Sequence, residues 1–194
     1  RTPDRPPLRR YVASFAEEDF MTSLEATIRQ ARRLDHAGEE QWELLARQHS
    51  LQLTQRRGER TLRGEIDGHT VRISTHPDPV ETVIRVRIGG LWPQEVLIQP
   101  REGGAEGTIT TGNPILDSLV VVRSPPDVPA REVLQAPALA EDLLAVLHPF
   151  PRSSVVSGSV QMHCPGRLDA DLSARVTDAL TLAAALRAAT TQRG

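Results

Sequence analysis

The chain has 194 residues and a formal net charge of −2, with 39% hydrophobic, 25% charged and only 3% aromatic residues. This composition is typical of one globular domain whose core is built from aliphatic side chains. The small net charge argues against nucleic acid as a partner. No apolar run is long enough for a membrane span. The single cysteine, Cys164, excludes an internal disulfide.

The N-terminal part combines a linker with an amphipathic helix. Residues 1–13 are rich in proline and arginine, as in a linker or arm, and a capping box at Ser14 and Glu17 predicts a helix over residues 14–37. Its apolar side chains recur every three or four residues, so they form one stripe that must be buried on the chain's own sheet or on a second copy, as in a homodimer. The residues predicted to form this interface are Met21, Leu24, Ile28 and Leu34.

Residues 38–191 are predicted to form one α+β domain. Clustered strands without regular βαβ alternation predict a curved antiparallel sheet of about five to six strands, packed by helices on one face. The predicted elements, in chain order, are a helix over Glu39–His49, strands on either side of an Asp67-Gly68 turn, strands Thr82–Ile88 and Glu95–Gln99, a long mobile loop over Pro100–Pro114, a central strand Leu119–Val122, helices Val128–Gln135 and Ala138–Leu147, one or two strands within Ser154–His163, and a helix Asp169–Ala189.

Apolar and basic residues alternate in the strand that precedes Gly89. Ile84 and Val86 point to one face of the sheet, so Arg85 and Arg87 share the other face with Val83. That second face is either a solvated surface or a patch that binds an anion or an acidic partner. Arg85 and Arg87 are therefore candidate binding residues.

The segment Thr111–Asp117, followed by Val120 and Val122, resembles a signature of bacterial domains of unknown function. The signature reads Thr-Gly-Asp-Pro-x-Phe-Asp-x-x-Phe-x-Val, and this chain departs from it at Asn113, Leu116 and Val120. The resemblance brings no catalytic residues. Many such domains follow membrane-anchoring or other segments, which fits a chain that opens without methionine and leaves open a tether upstream of Arg1. The element order is also similar to secretion-chaperone-type folds, which bind partner segments.

Asn113 and Asp117 are candidate binding residues because they lie between a long loop and a predicted strand. A flexible loop at the mouth of a strand is a common place for a ligand site. Asn and Asp side chains also cap turns by accepting hydrogen bonds from nearby backbone amides. The sequence leaves both interpretations open.

The other reactive side chains do not form a recognisable catalytic or metal-binding set. His163 and Cys164 are adjacent in a predicted strand, so they point to opposite faces and cannot act as a nucleophile and base pair. His69 and His76, with Asp67 and Asp78, match no common metal-ligand spacing. No phosphate-binding or dinucleotide-binding loop occurs. The sequence therefore predicts no catalytic residue, no metal and no cofactor.

These observations favour a non-catalytic protein–protein interaction or scaffold module. Every one of the 23 basic residues is arginine, a bias typical of GC-rich bacterial genomes. The expected location is the cytoplasm, or the cytoplasmic face of a membrane if an anchor precedes Arg1, and the expected partner is a protein. The alternative is a small-molecule sensor or an enzyme with a site near the 100–117 loop.

Overall fold

The computed structural model describes residues 39–56, 58–77, 80–90, 92–102, 109–126, 128, 130–166, 168 and 170–191. A boundary between two compact units falls between Glu40 and Gln41, and all the strands described below belong to the second unit. The predicted linker over 1–13 and helix over 14–37 lie outside the described residues. The predicted interface of Met21, Leu24, Ile28 and Leu34 lies there too and stays a prediction.

The described residues form an α+β fold, as predicted, around one antiparallel sheet. The sheet has eight strands in the order β1-β2-β3-β4-β8-β7-β5-β6. The strands are β1 Gln52–Arg56, β2 Glu59–Ile66, β3 His69–Pro77, β4 Val80–Arg87, β5 Leu97–Pro100, β6 Val120–Arg123, β7 Ser154–Val156 and β8 Ser159–Pro165. The helices are α1 (39–48), α2 Pro114–Leu119, α3 Ala130–Leu134, α4 Pro137–Leu147 and α5 Leu172–Thr191.

The predicted strand number of five to six is too low for two reasons. Strand β1 is not predicted from the sequence, because its residues are mostly polar and mostly exposed and so show little apolar alternation. The region Ser154–His163 contains two strands, because Ser157 and Gly158 both have positive φ and form a two-residue hairpin turn. The predicted turn at Asp67-Gly68 has the same backbone conformation and joins β2 to β3.

The core lies between one face of the sheet and the long C-terminal helix. Leu62, Ile73, Ile84 and Met162 lie side by side across β2, β3, β4 and β8, and each is completely buried. Helix α5 packs on β4 and β8, and α4 packs on α5. The residues of α5 that are buried are Leu172, Val176, Ala179, Leu182, Ala183 and Leu186.

The sequence predicts a central strand at β6, and that position is wrong. Val120, Val121 and Val122 are buried as expected, but β6 is the last strand of the sheet. An apolar run indicates burial on both faces and does not report how many strands lie beside it. Ile109 forms an isolated antiparallel bridge to Val122, so this edge is covered by the preceding chain.

Helix α2 begins at Pro114, the last residue of the predicted loop, and fills a segment for which the sequence predicts neither helix nor strand. Leu119, the predicted first residue of the strand, is instead the last residue of this helix. Residues 103–108 of the predicted loop lie outside the described residues. Across the part of the chain that is described, no helix has both the length and the hydropathy needed to cross a membrane.

Candidate functional site: an arginine face on the sheet

Five arginines of strands β1 to β4 occupy one face of the sheet, opposite the face on which α5 packs. In β3 and β4 the residues that point toward α5, such as Ile73 and Ile84, are buried, whereas their arginine neighbours are exposed. This alternation places Arg85 and Arg87 on the same face, together with Val83. We call this surface the arginine face and define it by Arg56, Arg63, Arg72, Arg85 and Arg87.

Three of these arginines are directly opposite one another in neighbouring strands. Arg63 pairs in register with Arg72, and Arg72 with Arg85. Directly opposed side chains have Cβ atoms about 4.5–5.5 Å apart, and like charges in such positions destabilise a sheet. Among the described residues, no carboxylate forms an ion pair with any of the three. Two exposed carboxylates, Glu59 and Glu65, lie on the same face of β2, but neither forms a described ion pair with the row.

The arginine row borders two hollows in the surface. Arg72 contributes to both: a hollow of about 430 Å³ between β1, β2 and β3, and one of about 170 Å³ between β3 and β4. Arg85 closes the far side of the smaller hollow, and its guanidinium donates a hydrogen bond of 3.1 Å to the neutral side chain of Gln161. That bond orients Arg85 and leaves its charge available.

The buried acid on this face is already engaged. Glu81 lies at the far end of β4, and its side chain is only 12% exposed. Its Oε2 atom accepts a hydrogen bond of 3.0 Å from the Arg152 guanidinium and lies 3.4 Å from Nδ1 of His163. Because Glu81 is held by these partners, it does not neutralise the arginine row further along the strand.

Asn113 and Asp117 lie far from the arginine face. Strand β6, which follows α2, is four strands from β4, or about 19 Å at the usual ~4.8 Å strand spacing. Oδ1 of Asn113 accepts hydrogen bonds from the amides of Ile115 and Leu116 and so caps α2. The two pairs of candidate binding residues therefore do not form one site.

Asp117 binds the residues at the start of the same segment through its carboxylate. Its Oδ1 accepts from the Thr111 amide at 2.7 Å and from the Thr111 hydroxyl at 2.9 Å, and its Oδ2 accepts from the Gly112 amide at 3.1 Å. Thr111 is 1% exposed. These contacts make the Thr111–Asp117 segment a self-contained turn and helix cap, which corresponds to the capping interpretation of Asn113 and Asp117.

The side chains of Cys164 and His163 lie on opposite faces of the sheet. Cys164 points into the core and is fully buried, whereas His163 points to the opposite face, as the sequence predicts. Burial raises the pKa of the Cys164 thiol to about 11; Arg175 opposes this shift and Glu81 adds to it. The thiol is therefore protonated at neutral pH and is not an activated nucleophile.

The histidines considered for a metal are also apart. His69 and His76 are seven residues apart in β3, an odd separation that places them on opposite faces. Asp78 lies outside the described residues. Within the described ranges, no group of three or more His, Cys, Asp or Glu side chains could hold a metal ion.

Arg63 and Arg72 are the functional candidates that sequence reasoning missed. Arg63 lies four residues before Asp67, and Arg72 lies four residues after Gly68. In a hairpin with a two-residue turn, equal distances from the turn make two residues direct cross-strand neighbours. The hairpin that the sequence predicts could therefore have revealed this pair.

Comparisons with protein-family models, with curated proteins and with solved structures find no match to this chain.

Replacing Arg72 with threonine is expected to stabilise the protein. The substitution removes the central charge of the row and introduces a β-branched residue suited to a strand, so the free energy of unfolding should rise by about 0.5–1 kcal/mol at low salt. The gain should shrink with added salt as the repulsion is screened. Urea unfolding at two ionic strengths measures both effects. The matched control is Arg123→Thr, an exposed arginine of β6 that pairs with Leu97, which should give a smaller, salt-independent change.

Proposed function

We propose that this chain is a non-catalytic protein-binding module whose arginine face holds an acidic segment of a partner protein. The observation that carries the proposal is the register of Arg63, Arg72 and Arg85, three exposed like charges placed side by side without a described acidic partner. Such a row lowers the stability of the isolated sheet, so a compensating gain is expected from what binds there.

A carboxylate is the chemical group that this surface fits. Guanidinium groups present planar donors that bind carboxylates in a bidentate manner, and charge-assisted hydrogen bonds are stronger than neutral ones. Phosphate has the same compatibility with arginine. The formal net charge of −2, however, provides no overall positive field of the kind that usually accompanies nucleic-acid binding. These two facts together favour acidic side chains of a protein.

The spacing of the row favours a helical acidic segment over an extended one. Neighbouring arginines across the strands have Cβ atoms about 4.5–5.5 Å apart. Residues three or four apart on a helix surface have Cβ atoms about 5–6 Å apart, whereas alternate residues of a strand are about 7 Å apart. A helix that crosses the strands can therefore place one carboxylate against each of Arg63, Arg72 and Arg85 in turn.

The small-molecule alternative near the 100–117 loop has less support. It requires Asn113 and Asp117 to offer side-chain oxygens to a ligand. Those oxygens already accept hydrogen bonds from backbone amides and from a hydroxyl group. The arginines are also on a separate part of the sheet.

A designed helical peptide tests the proposal directly. The probe is a fluorescein-labelled alanine-rich peptide of about 20 residues with glutamates at i, i+4 and i+8, and the readout is anisotropy at low salt. We expect Arg72→Gln in the full chain to weaken binding about tenfold, since one charge-assisted hydrogen bond contributes about 1.5 kcal/mol. Added salt should weaken binding of the unaltered chain.

Two controls separate a specific surface from general charge attraction. Arg123→Gln changes the net charge equally but lies on edge strand β6, so it should leave the affinity unchanged. A peptide with glutamine in place of glutamate should not bind. The proposal is wrong if the glutamine peptide binds as tightly, or if Arg123→Gln and Arg72→Gln cause the same loss.

A further inference from the structure

A cleft of about 440 Å³ opens on the other side of the sheet, where helix α1, the β2–β3 turn and one side of α5 meet. We call it the His69 cleft. Its apolar wall includes Leu45 from α1, Ile66 from β2 and Leu180 from α5, and polar side chains such as Thr177 and Thr181 line α5. Small-molecule sites are commonly about 300–1,000 Å³, mainly apolar, with a few placed polar groups.

His69 is the polar group that gives this cleft a chemical preference. Only 4% of the residue is exposed, and its Nδ1 atom lies 2.9 Å from the backbone carbonyl oxygen of Arg87. A carbonyl oxygen can only accept, so Nδ1 carries the proton in this contact, and Nε2 of the neutral ring is a hydrogen-bond acceptor.

The Nε2 atom has no hydrogen-bond partner among the described residues. His69 also lines a second cavity of about 440 Å³ further along α5, bordered by Ala184, Arg187 and Thr191. Nε2 is not among the fully buried unpartnered atoms of the described residues, so solvent reaches it through the cleft and a ligand's donor can take the place of water there. The ring is thus held by the protein at one nitrogen and offers the other to a space large enough for a ligand.

We propose that the His69 cleft binds a small molecule that has an apolar body and one hydroxyl or N–H donor. The apolar body contacts Leu45, Ile66 and Leu180, and the donor binds Nε2 of His69. This site is independent of the arginine face, because His69 points toward α5 whereas Arg72 points to the opposite side of β3.

A matched pair of compounds tests the donor requirement. The probes are 4-propylphenol and its methyl ether, 4-propylanisole, which share the apolar body and differ in the O–H donor. Titration of the ¹⁵N-labelled full chain, followed by NMR, should give amide shifts concentrated at Ile66, His69 and Thr177–Ala184 with the phenol. We expect the ether to bind at least tenfold more weakly, because it cannot donate a hydrogen bond to Nε2 of His69.

A blocking variant tests the location without touching His69. Ala184 is exposed and borders both cavities, so Ala184→Trp should fill the space with little effect on folding and should weaken phenol binding at least tenfold. Ala174→Trp places the same side chain on another exposed position of α5 that does not border the cleft, and it should bind the phenol normally. Equal affinities for phenol and ether, or shifts that persist in Ala184→Trp, would overturn the proposal.

Discussion

Replacing Asp117 with alanine is expected to lower the free energy of unfolding by about 3 kcal/mol. The Asp117 carboxylate accepts from the Thr111 amide, the Thr111 hydroxyl and the Gly112 amide. Thr111 is 1% exposed, so water cannot fully replace the lost acceptor. A buried donor left without a partner costs about 1–3 kcal/mol, and hydrogen bonds to charged groups lie at the upper end of that range.

Urea unfolding followed by circular dichroism measures this loss, and two further variants calibrate it. Asn113→Ala removes only the cap of α2 and should cost about 1 kcal/mol. Asp178→Ala breaks a partly exposed ion pair with Arg175 and should cost at most about 1 kcal/mol. A loss for Asp117→Ala no larger than that for Asp178→Ala would show that the carboxylate does not hold this segment.

Raising the pH from 9 to 11 is expected to destabilise the protein through Cys164. Burial in the folded protein raises the pKa of this thiol from 9.0 to about 11. Above pH 9 the unfolded chain therefore releases the proton while the folded chain retains it. The unfolded state then binds fewer protons, so stability falls as the pH rises and levels off above the folded pKa, with a total loss of about 3 kcal/mol.

The composition of the chain makes this effect easy to isolate. The sequence contains no lysine, and its only tyrosine is Tyr11, so few side chains titrate between pH 9 and 11. Cys164→Ala retains Tyr11 and loses the thiol. Urea unfolding at several pH values should give a stability curve that falls for the unaltered chain and is nearly flat for the variant. Parallel curves for the two proteins would contradict the assignment of the pH effect to Cys164.

The sequence was sufficient to predict the elements that local patterns specify. The hairpin at Asp67-Gly68 follows from two residues that tolerate positive φ between alternating segments, and the structure has that turn. Helices α1, α4 and α5 follow from apolar residues at helical spacing, and each lies within two or three residues of its predicted range. Local chemistry fixes these features, so one sequence reveals them.

Long-range pairing was beyond what local patterns report. Strand β4 pairs with β8, whose residues lie more than 70 positions later in the chain, and β6 lies at an edge although its valines are fully apolar. Strand β1 was missed because an exposed edge strand needs few apolar residues. Pairing between distant strands depends on the packing of the whole sheet, which periodicity does not encode.

Part of the candidate site follows from local patterns and part depends on strand pairing. Alternation along β4 was sufficient to place Arg85 and Arg87 on one face. That Arg72 lies between Arg63 and Arg85 depends on the registers of two strand pairs, and only the first follows from a predicted turn. Asn113 and Asp117 are candidates because they are polar residues beside a loop, yet their hydrogen-bond partners include backbone amides within six residues. Such short-range contacts are common for Asn and Asp.

The central claim is that the arginine row, and not the arginine content of the chain, is the binding surface. The most direct test is to observe the arginine side-chain Nε–H resonances by NMR while the glutamate peptide is added to the full chain. The account predicts that the signals of Arg63, Arg72 and Arg85 shift together and saturate together, while those of the exposed Arg123 and Arg131 stay unchanged. Equal shifts for the row and for Arg123 and Arg131 would contradict it. Shifts confined to Arg123 and Arg131 would contradict it as well.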